Sequence, residues 1–349
     1  MNGRKIVGAL MAVILVAGAA LIGYKLYTGS KDVPVVIEDA QNGTLGVTDS
    51  VGTVDQNTGN EYSEKWAEGT VRYKGKAYRY NSQLKIYLFM GIDKMEKALP
   101  DPAGNKGGQA DAIFLIVEDP SNKDVKIIAV NRNTMTTIEV YDNEGNFVGK
   151  EISQICLQHG YGDGTRNSCQ RTVTAVSNLF YGIPIDGYLA MNMGGIPQLN
   201  EALGGVEVKI AEECTLGDTE YRAGDTVVLD GDMAMDYLHV RDKTVFDSAT
   251  GRLERQISYI PSMLDKMSQK ASDAGELALV YKALEDYIVT NLDFMEYAEE
   301  LAEYGMSDAE IIRLKGDMTM GEKYEEYKLD ETALYEMVLD IFYKEADEP

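Results

Sequence analysis

The stretch GRLERQ, residues 251–256, sets Arg252 and Arg255 three residues apart and Arg252 and Gln256 four apart. On a helix, all three fall on or near one face. Guanidinium groups stay charged at any working pH and match phosphate oxygens in pairs, so this spacing suits an anionic ligand. The same spacing describes a solvated basic face, or arginines paired with Glu254 and neighbouring acids. His239 and Arg241 lie just upstream, in YLHVRD. Elsewhere, Asp93 ends the apolar run KIYLFMGID, Asp111 opens ADAIFLIVED, and Arg132 follows VKIIAV. An Arg or Asp just past a buried strand tends to face the crevice outside the strand end, where open α/β sheets bind ligands. If the first two runs are antiparallel neighbours, Asp93 meets Asp111, with Arg132 alongside. Two carboxylates near phosphates suit Mg²⁺, which takes one or two protein carboxylates and fills its shell with water and phosphate oxygens. Singly, each acid reads as a turn cap. Together with the arginines they read as a metal–pyrophosphate site.

These residues need elements to hold them. Residues 85–93, 110–119 and 125–135 are β-branched apolar runs, as buried strands are. Asp119-Pro120-Ser121-Asn122 is turn chemistry and predicts a hairpin between the second and third. A short hairpin is predicted around Lys74-Gly75-Lys76. Helices are expected over 168–182, with Ser168 as a cap, over 195–205 with Pro197 near its start, over 231–242, and again from 252. Strands are expected over 186–193 and 206–210. Alternating strands and helices give an α/β layered fold. Beyond about residue 275 the chain reads as acidic, amphipathic helices packed on the same core.

Acids outnumber bases 57 to 33, for a formal charge of −24. That argues against general nucleic-acid binding, which needs basic patches, but leaves room for one local anion site. Arg4 and Lys5 precede an uncharged run, Ile6–Tyr24, of 19 residues. As a helix it would span about 28 Å, close to the bilayer hydrocarbon thickness. Residues 1–30 are therefore expected to form an uncleaved, single-pass anchor. A cleaved signal peptide is the rival reading, since AGAA offers small residues near the end of the run. The two early cations favour an N-inside orientation, with the rest of the chain outside the cell. Residues 31–60 read as a solvated linker and 61–349 as one extracellular domain, with a core over about 84–270 and a helical extension over about 275–349. An external location permits a disulfide, and Cys156 with Cys169, flanking a Gly-rich loop, is the expected pair, leaving Cys214 as a thiol. A zinc site from Cys156, His159 and Cys169 lacks a fourth ligand.

From Leu84 to Met267 the chain resembles the LytR-CpsA-Psr family of membrane-anchored cell-wall enzymes. The supporting stretches run in the family's order: LFMGID, QADAIFLIV, AVNRNTM, QHGYGDG, NLFYGIPIDGYLAMNM, LNEALGGVEV, LDGDMAMDYLHVRD and GRLERQ. The resemblance implies an α/β/α domain with a mixed central sheet and an apolar pocket for a lipid tail. It implies transfer of an anionic glycopolymer, of teichoic acid or capsule type, from a polyprenyl-pyrophosphate carrier onto peptidoglycan. Asp93 and Asp111 would help hold Mg²⁺, Arg132, Arg241, Arg252 and Gln256 would contact the pyrophosphate, and Arg255 and His239 would support them. The helices at 168–182 and 256–268 are candidate pocket walls. Three positions depart from the usual pattern: Gln109 and His239 where arginine is usual, and Asn133 where aspartate follows Arg132. Those departures motivate one rival, a non-catalytic scaffold for lipid-linked polymer; the other is a polyprenyl-pyrophosphate hydrolase at the same site, with water as the acceptor.

Overall fold

A computed structural model describes residues 70–101, 107–239, 241, 244–302 and 309–346. The expected anchor and linker lie outside the described residues. Among the described residues, no helix is long and apolar enough to cross a membrane.

Six strands form the main sheet: β1 (Lys85–Ile92), β2 (Ala110–Asp119), β3 (Asp124–Val130), β4 (Gly187–Asn192), β5 (Ile288–Thr290) and β6 (Glu310–Arg313). Their order is β5-β4-β1-β2-β3-β6. The β1–β2 and β2–β3 pairs are antiparallel, as is β5 on β4, whereas β4 on β1 and β6 on β3 are parallel. The sheet is therefore mixed, as expected. Side chains alternate across it. Tyr87, Phe114, Ile116, Ile127, Ala129 and Met191 join one buried cluster with α2 (Ile196–Leu203), α3 (Gly231–His239), α4 (Ser248–Ala271), α5 (Ala274–Leu284) and α6 (Phe294–Ala302). The intervening residues Ile86, Leu88, Met90, Ile92, Ile113 and Leu115 are also buried, on the opposite face. That side carries α1 (Arg166–Leu179), a 3₁₀ turn (Ile155–Tyr161) and α7 (Glu331–Phe342). Phe180 after α1 meets Phe342 of α7 edge to face, with ring centroids 6.3 Å apart.

Most predicted elements form within a few residues of their expected ends. The hairpin around Lys74-Gly75-Lys76 is present, pairing 70–73 with 76–80. Two expectations change. Ser168 does not cap α1: Asp163 Oδ1 accepts from the backbone of Thr165, Asn167 and Ser168, while Ser168 Oγ, buried, accepts from Gly164 N–H. The region beyond 275 is more than a helical extension. It supplies both edge strands of the main sheet, β5 and β6, a hairpin of 316–320 with 325–329, and a strand, 343–346, paired on 76–80.

Candidate active site

The ends of β1, β2 and β3 converge as the sequence predicts. Antiparallel pairing sets the end of β1 beside the start of β2, with an irregularity in register between Gly91 and Ile92. Asp93 N–H donates to Gln109 O at 3.0 Å, and Gln109 N–H donates to Asp93 Oδ1 at 2.5 Å. Gly108, with φ of +77°, makes this closure possible: a Cβ there would stand 2.9 Å from Asp93 Oδ1. Asp111 lies between two arginines. Arg132 Nε is 2.7 Å from its Oδ1, and Arg252 Nη1 is 2.7 Å from its Oδ2. The Arg132 guanidinium also donates through Nη2 to Gln109 Oε1 and to Cys156 Sγ. Partial withdrawal from water pushes the Asp93 carboxyl above its ordinary pKa. The Gln109 N–H opposes that shift, Asp111's charge adds to it, and Arg132 and Arg252 oppose it.

Helix α4 contributes the other half. Arg252 and Gln256 are buried, at 3% and 8% exposure, so the solvated-face reading of GRLERQ fails. Arg252 is held on one side by Asp111, yet its Nη2 is buried with no hydrogen-bond partner, as are Gln256 Oε1 and Arg241 Nε. Arg241 is positioned by donation from Nη1 to Ser248 Oγ at 3.1 Å. Buried polar atoms without partners are costly and rare, and here three arise around one carboxylate–arginine cluster. Extra guanidinium donors of this kind are what phosphate oxygens would satisfy.

Arg255 is the exception. Its Nε donates to Tyr237 O at 2.7 Å, and its Nη1 pairs with Glu212. It ties α4 to the end of α3 and does not line the cavity with Arg252 and Gln256. The i, i+3 spacing put it near their face, and the spacing alone does not separate the two directions.

Behind the charged cluster lies a cavity bounded by Asp93, Asp111, His239, Arg252 and Gln256 at one end and by Phe89, Phe114, Ile260 and Met263 further in. A second cavity shares Phe89, Met191, Leu199 and Met263 with it and continues to Phe294, Tyr297 and Leu292. The two make an apolar passage between the sheet and α2, α4, α5 and α6, capped by charge at one end. Gly91 and Ala112 face each other beside Asp111, and a Cβ on Gly91 would lie 3.0 Å from Ala112 Cβ. Small residues there keep the entrance open. Of the two expected walls, 256–268 in α4 lines these cavities. The expected wall at 168–182 does not: α1 packs on the other face of the sheet, because an apolar helix stripe does not tell which face it covers.

The expected Cys156–Cys169 bridge does not form: all three cysteines are free thiols. Cys156 Sγ turns to Arg132, and Cys169 Sγ lies 3.9 Å from His159 Nε2. Burial pushes both thiols up to about 12. Among the described residues, no group of three or more His, Cys, Asp or Glu could hold a metal, which removes the zinc reading. Gln109, read from sequence as a missing cation, instead grips both Asp93 and Arg132. Helix α2, through Ile196 and Leu199, is a cavity wall that sequence reasoning missed. Its apolar pattern carries no mark separating cavity from core.

The sequence pattern of the LytR_cpsA_psr family matches residues 49–340. The chain is 26% identical over 257 residues to the polyisoprenyl-teichoic acid–peptidoglycan teichoic acid transferase TagU of Bacillus licheniformis, covering 73% of this chain and 76% of that protein. It is 26% identical over 289 residues to the TagU of Halalkalibacterium halodurans, covering 81% and 80%. The crystal structure of B. subtilis TagV superposes with a TM-score of 0.58 at 22% identity, covering 74% of this chain and 96% of that one. A structure described as TagT bound to LI-WTA gives 0.57 at 19%, covering 74% and 90%. Sequence order, fold and matched span agree: the chain belongs to the LytR-CpsA-Psr family.

Proposed function

We propose that this protein is a membrane-anchored, extracellular phosphotransferase that moves an anionic glycopolymer from a polyprenyl-pyrophosphate carrier onto peptidoglycan. The observation that carries this reading is the charged mouth on an apolar passage: unpartnered guanidinium and amide groups stand where a long hydrophobic tail would emerge. The relatives' names, polyisoprenyl-teichoic acid–peptidoglycan teichoic acid transferases, supply the donor and acceptor classes.

In the proposed reaction a peptidoglycan hydroxyl attacks the phosphorus next to the glycopolymer. A new P–O bond forms to that hydroxyl, whose proton passes to water or a substrate phosphate oxygen, the P–O bond to the carrier phosphate breaks, and polyprenyl phosphate leaves with the electron pair. The side chains contribute mainly positioning and charge stabilisation. Arg252 and Arg241 direct donors at the phosphates. Arg132, oriented by Gln109 and Asp111, neutralises charge building on the leaving phosphate. The apolar passage orders the carrier chain and keeps water from that side. Asp93, whose carboxyl is pushed up by burial and by Asp111, is the carboxylate that would hold Mg²⁺, with Asp111 joining it by releasing an arginine; the ion would supply charge neutralisation for phosphate. Asp111, spent on two arginines, is a poor proton acceptor.

The test is turnover of a polyprenyl-pyrophosphate glycopolymer by the purified protein with Mg²⁺, with and without peptidoglycan. Polymer attached to peptidoglycan supports the reading. Release of carrier phosphate at the same rate without acceptor makes the protein a hydrolase. Tight lipid binding without turnover makes it a scaffold.

A further inference from the structure

Asn131 and Asn133, which flank Arg132, are 4% and 2% exposed and do not face solvent. Asn131 Nδ2 donates to Thr250 Oγ1 at 3.1 Å, and Thr250 Oγ1 donates to Asp247 Oδ1. Asp247, in the left-handed conformation with φ of 61°, precedes the first turn of α4. Its N–H donates to Glu325 Oε1 at 2.9 Å. Glu325 Oε2, in turn, accepts from Asn133 Nδ2 at 3.3 Å, and Asn133 N–H donates to Asn131 Oδ1 at 2.9 Å. The five residues close a ring, through their side chains and the backbone N–H groups of Asp247 and Asn133. It joins the loop after β3 that carries Arg132, the start of α4 that carries Arg252 and Gln256, and the C-terminal hairpin that carries Glu325. The backbone reinforces it, with Tyr327 N–H donating to Asn133 O at 2.9 Å.

We propose that Glu325 is a positioning residue of the site, supplying from the C-terminal hairpin the carboxylate that position 133 lacks, and so setting the two arginine-bearing elements at a fixed separation. This deepens, and rests on, the phosphotransferase reading. The ring contains one carboxylate that receives two donors and so has no slack in its hydrogen bonding. Gln154 Nε2 donates to Asn133 Oδ1 at 3.1 Å, which fixes the Asn133 amide with its NH₂ toward Glu325. Replacing Glu325 by glutamine sets an NH₂ against either that NH₂ or the Asp247 N–H. Replacing Asn133 by aspartate alone sets carboxylate against carboxylate. Making both changes satisfies every group again: the introduced aspartate accepts from Gln154 and from the introduced glutamine, whose carbonyl accepts from Asp247. Charge has only moved across the contact.

The experiment compares Asn133→Asp, Glu325→Gln and the double variant in the full-length protein. It reads turnover of the lipid-linked polymer, binding of farnesyl pyrophosphate, and backbone hydrogen exchange at 129–135 and 246–254. Each single variant is expected to lose about tenfold in kcat, with smaller change in KM, since arginine placement matters most in the transition state. Exchange should rise at both segments while β1 and β2 stay protected. The double variant should recover kcat to within about threefold and restore protection, a coupling that independent sites do not show. Single effects that simply add, or a Glu325→Gln protein with native exchange and native kcat, overturn the proposal. A native protein that neither turns over polymer nor binds the probe overturns the phosphotransferase reading instead, and exchange then decides the brace alone.

Discussion

Arg252 and Arg255 stand three residues apart in one helix, yet burial gives them different work, which mutation can separate. Arg252 neutralises Asp111 and keeps a spare buried donor, whereas Arg132 neutralises Asp111 from the other side and spends its remaining donors on Gln109 and Cys156. Removing a charged donor aimed at a transition state costs about 3 kcal/mol, or roughly a hundredfold in rate. Arg132→Ala and Arg252→Ala are each expected to lower kcat/KM of the folded enzyme by a hundredfold or more, with Mg²⁺ present. Activity within threefold of native for either variant would remove that arginine from the mechanism. Arg255→Ala should do the reverse. It leaves the Tyr237 carbonyl and Glu212 without their cation, so it should cost about 1–3 kcal/mol of stability and change kcat/KM by less than threefold. A lowered urea midpoint with native specific activity at low temperature is the outcome to look for. The sequence marked both arginines as one set because i, i+3 and i, i+4 neighbours share a broad face. Only packing against Glu212 or Asp111 divides them.

At the level of elements, α4 does two jobs: its first turns carry Arg252 and Gln256, and its middle, through Ile260, Met263 and Met267, walls the apolar passage. Met263 borders both cavities, so its volume should govern how far a chain reaches inward. Met263→Trp is expected to weaken binding of a long polyprenyl pyrophosphate by at least tenfold while leaving farnesyl pyrophosphate within about threefold, whereas the volume-conserving Met263→Leu should change neither. A titration of each probe, followed by tryptophan fluorescence or calorimetry, decides it. Equal weakening for short and long chains would mean that the passage does not hold the tail. The main strands and helices were legible because each carries a period or an apolar run with turn residues at its ends. β5 and β6 were not. Strands of three and four residues are too short to show alternation, and their pairing depends on the edges left open by β4 and β3. The convergence of Asp93, Asp111 and Arg132 was readable from strand order alone. The cavity behind them was not, because Phe89, Leu199 and Met263 have the composition of any core.

Across the whole molecule, acid pulls stability in two directions. The net charge of −24 means that mild acidification relieves self-repulsion, and Asp93, whose carboxyl is raised, also gains stability as pH falls. His159 opposes both. It is 1% exposed within the Gly-rich loop, its Nδ1 lies 3.2 Å from Gly108 O, and its Nε2 faces Cys169 Sγ. Burial lowers its pKa from the ordinary 6.5 to about 4, against smaller upward pulls from Gly108, Gly107 and Asp163. A depressed histidine is neutral in the folded state while the unfolded chain takes up its proton. Its contribution is therefore fully present above pH 6.5 and is lost as pH falls toward 4. One proton taken up on unfolding is worth about 1.4 kcal/mol per pH unit, so the loss reaches about 3 kcal/mol across that window. That slope belongs to a single group and a single mutation should remove it. His159→Asn keeps an N–H for the Gly108 carbonyl and has nothing to titrate. It is expected to be less stable than the native protein at pH 7, and to lose less between pH 6.5 and 4.5 by about one proton's slope. Urea unfolding at half-unit pH steps measures both proteins. Parallel curves would show that the buried ring is not what makes this domain acid-sensitive, and would leave the carboxylates as the cause.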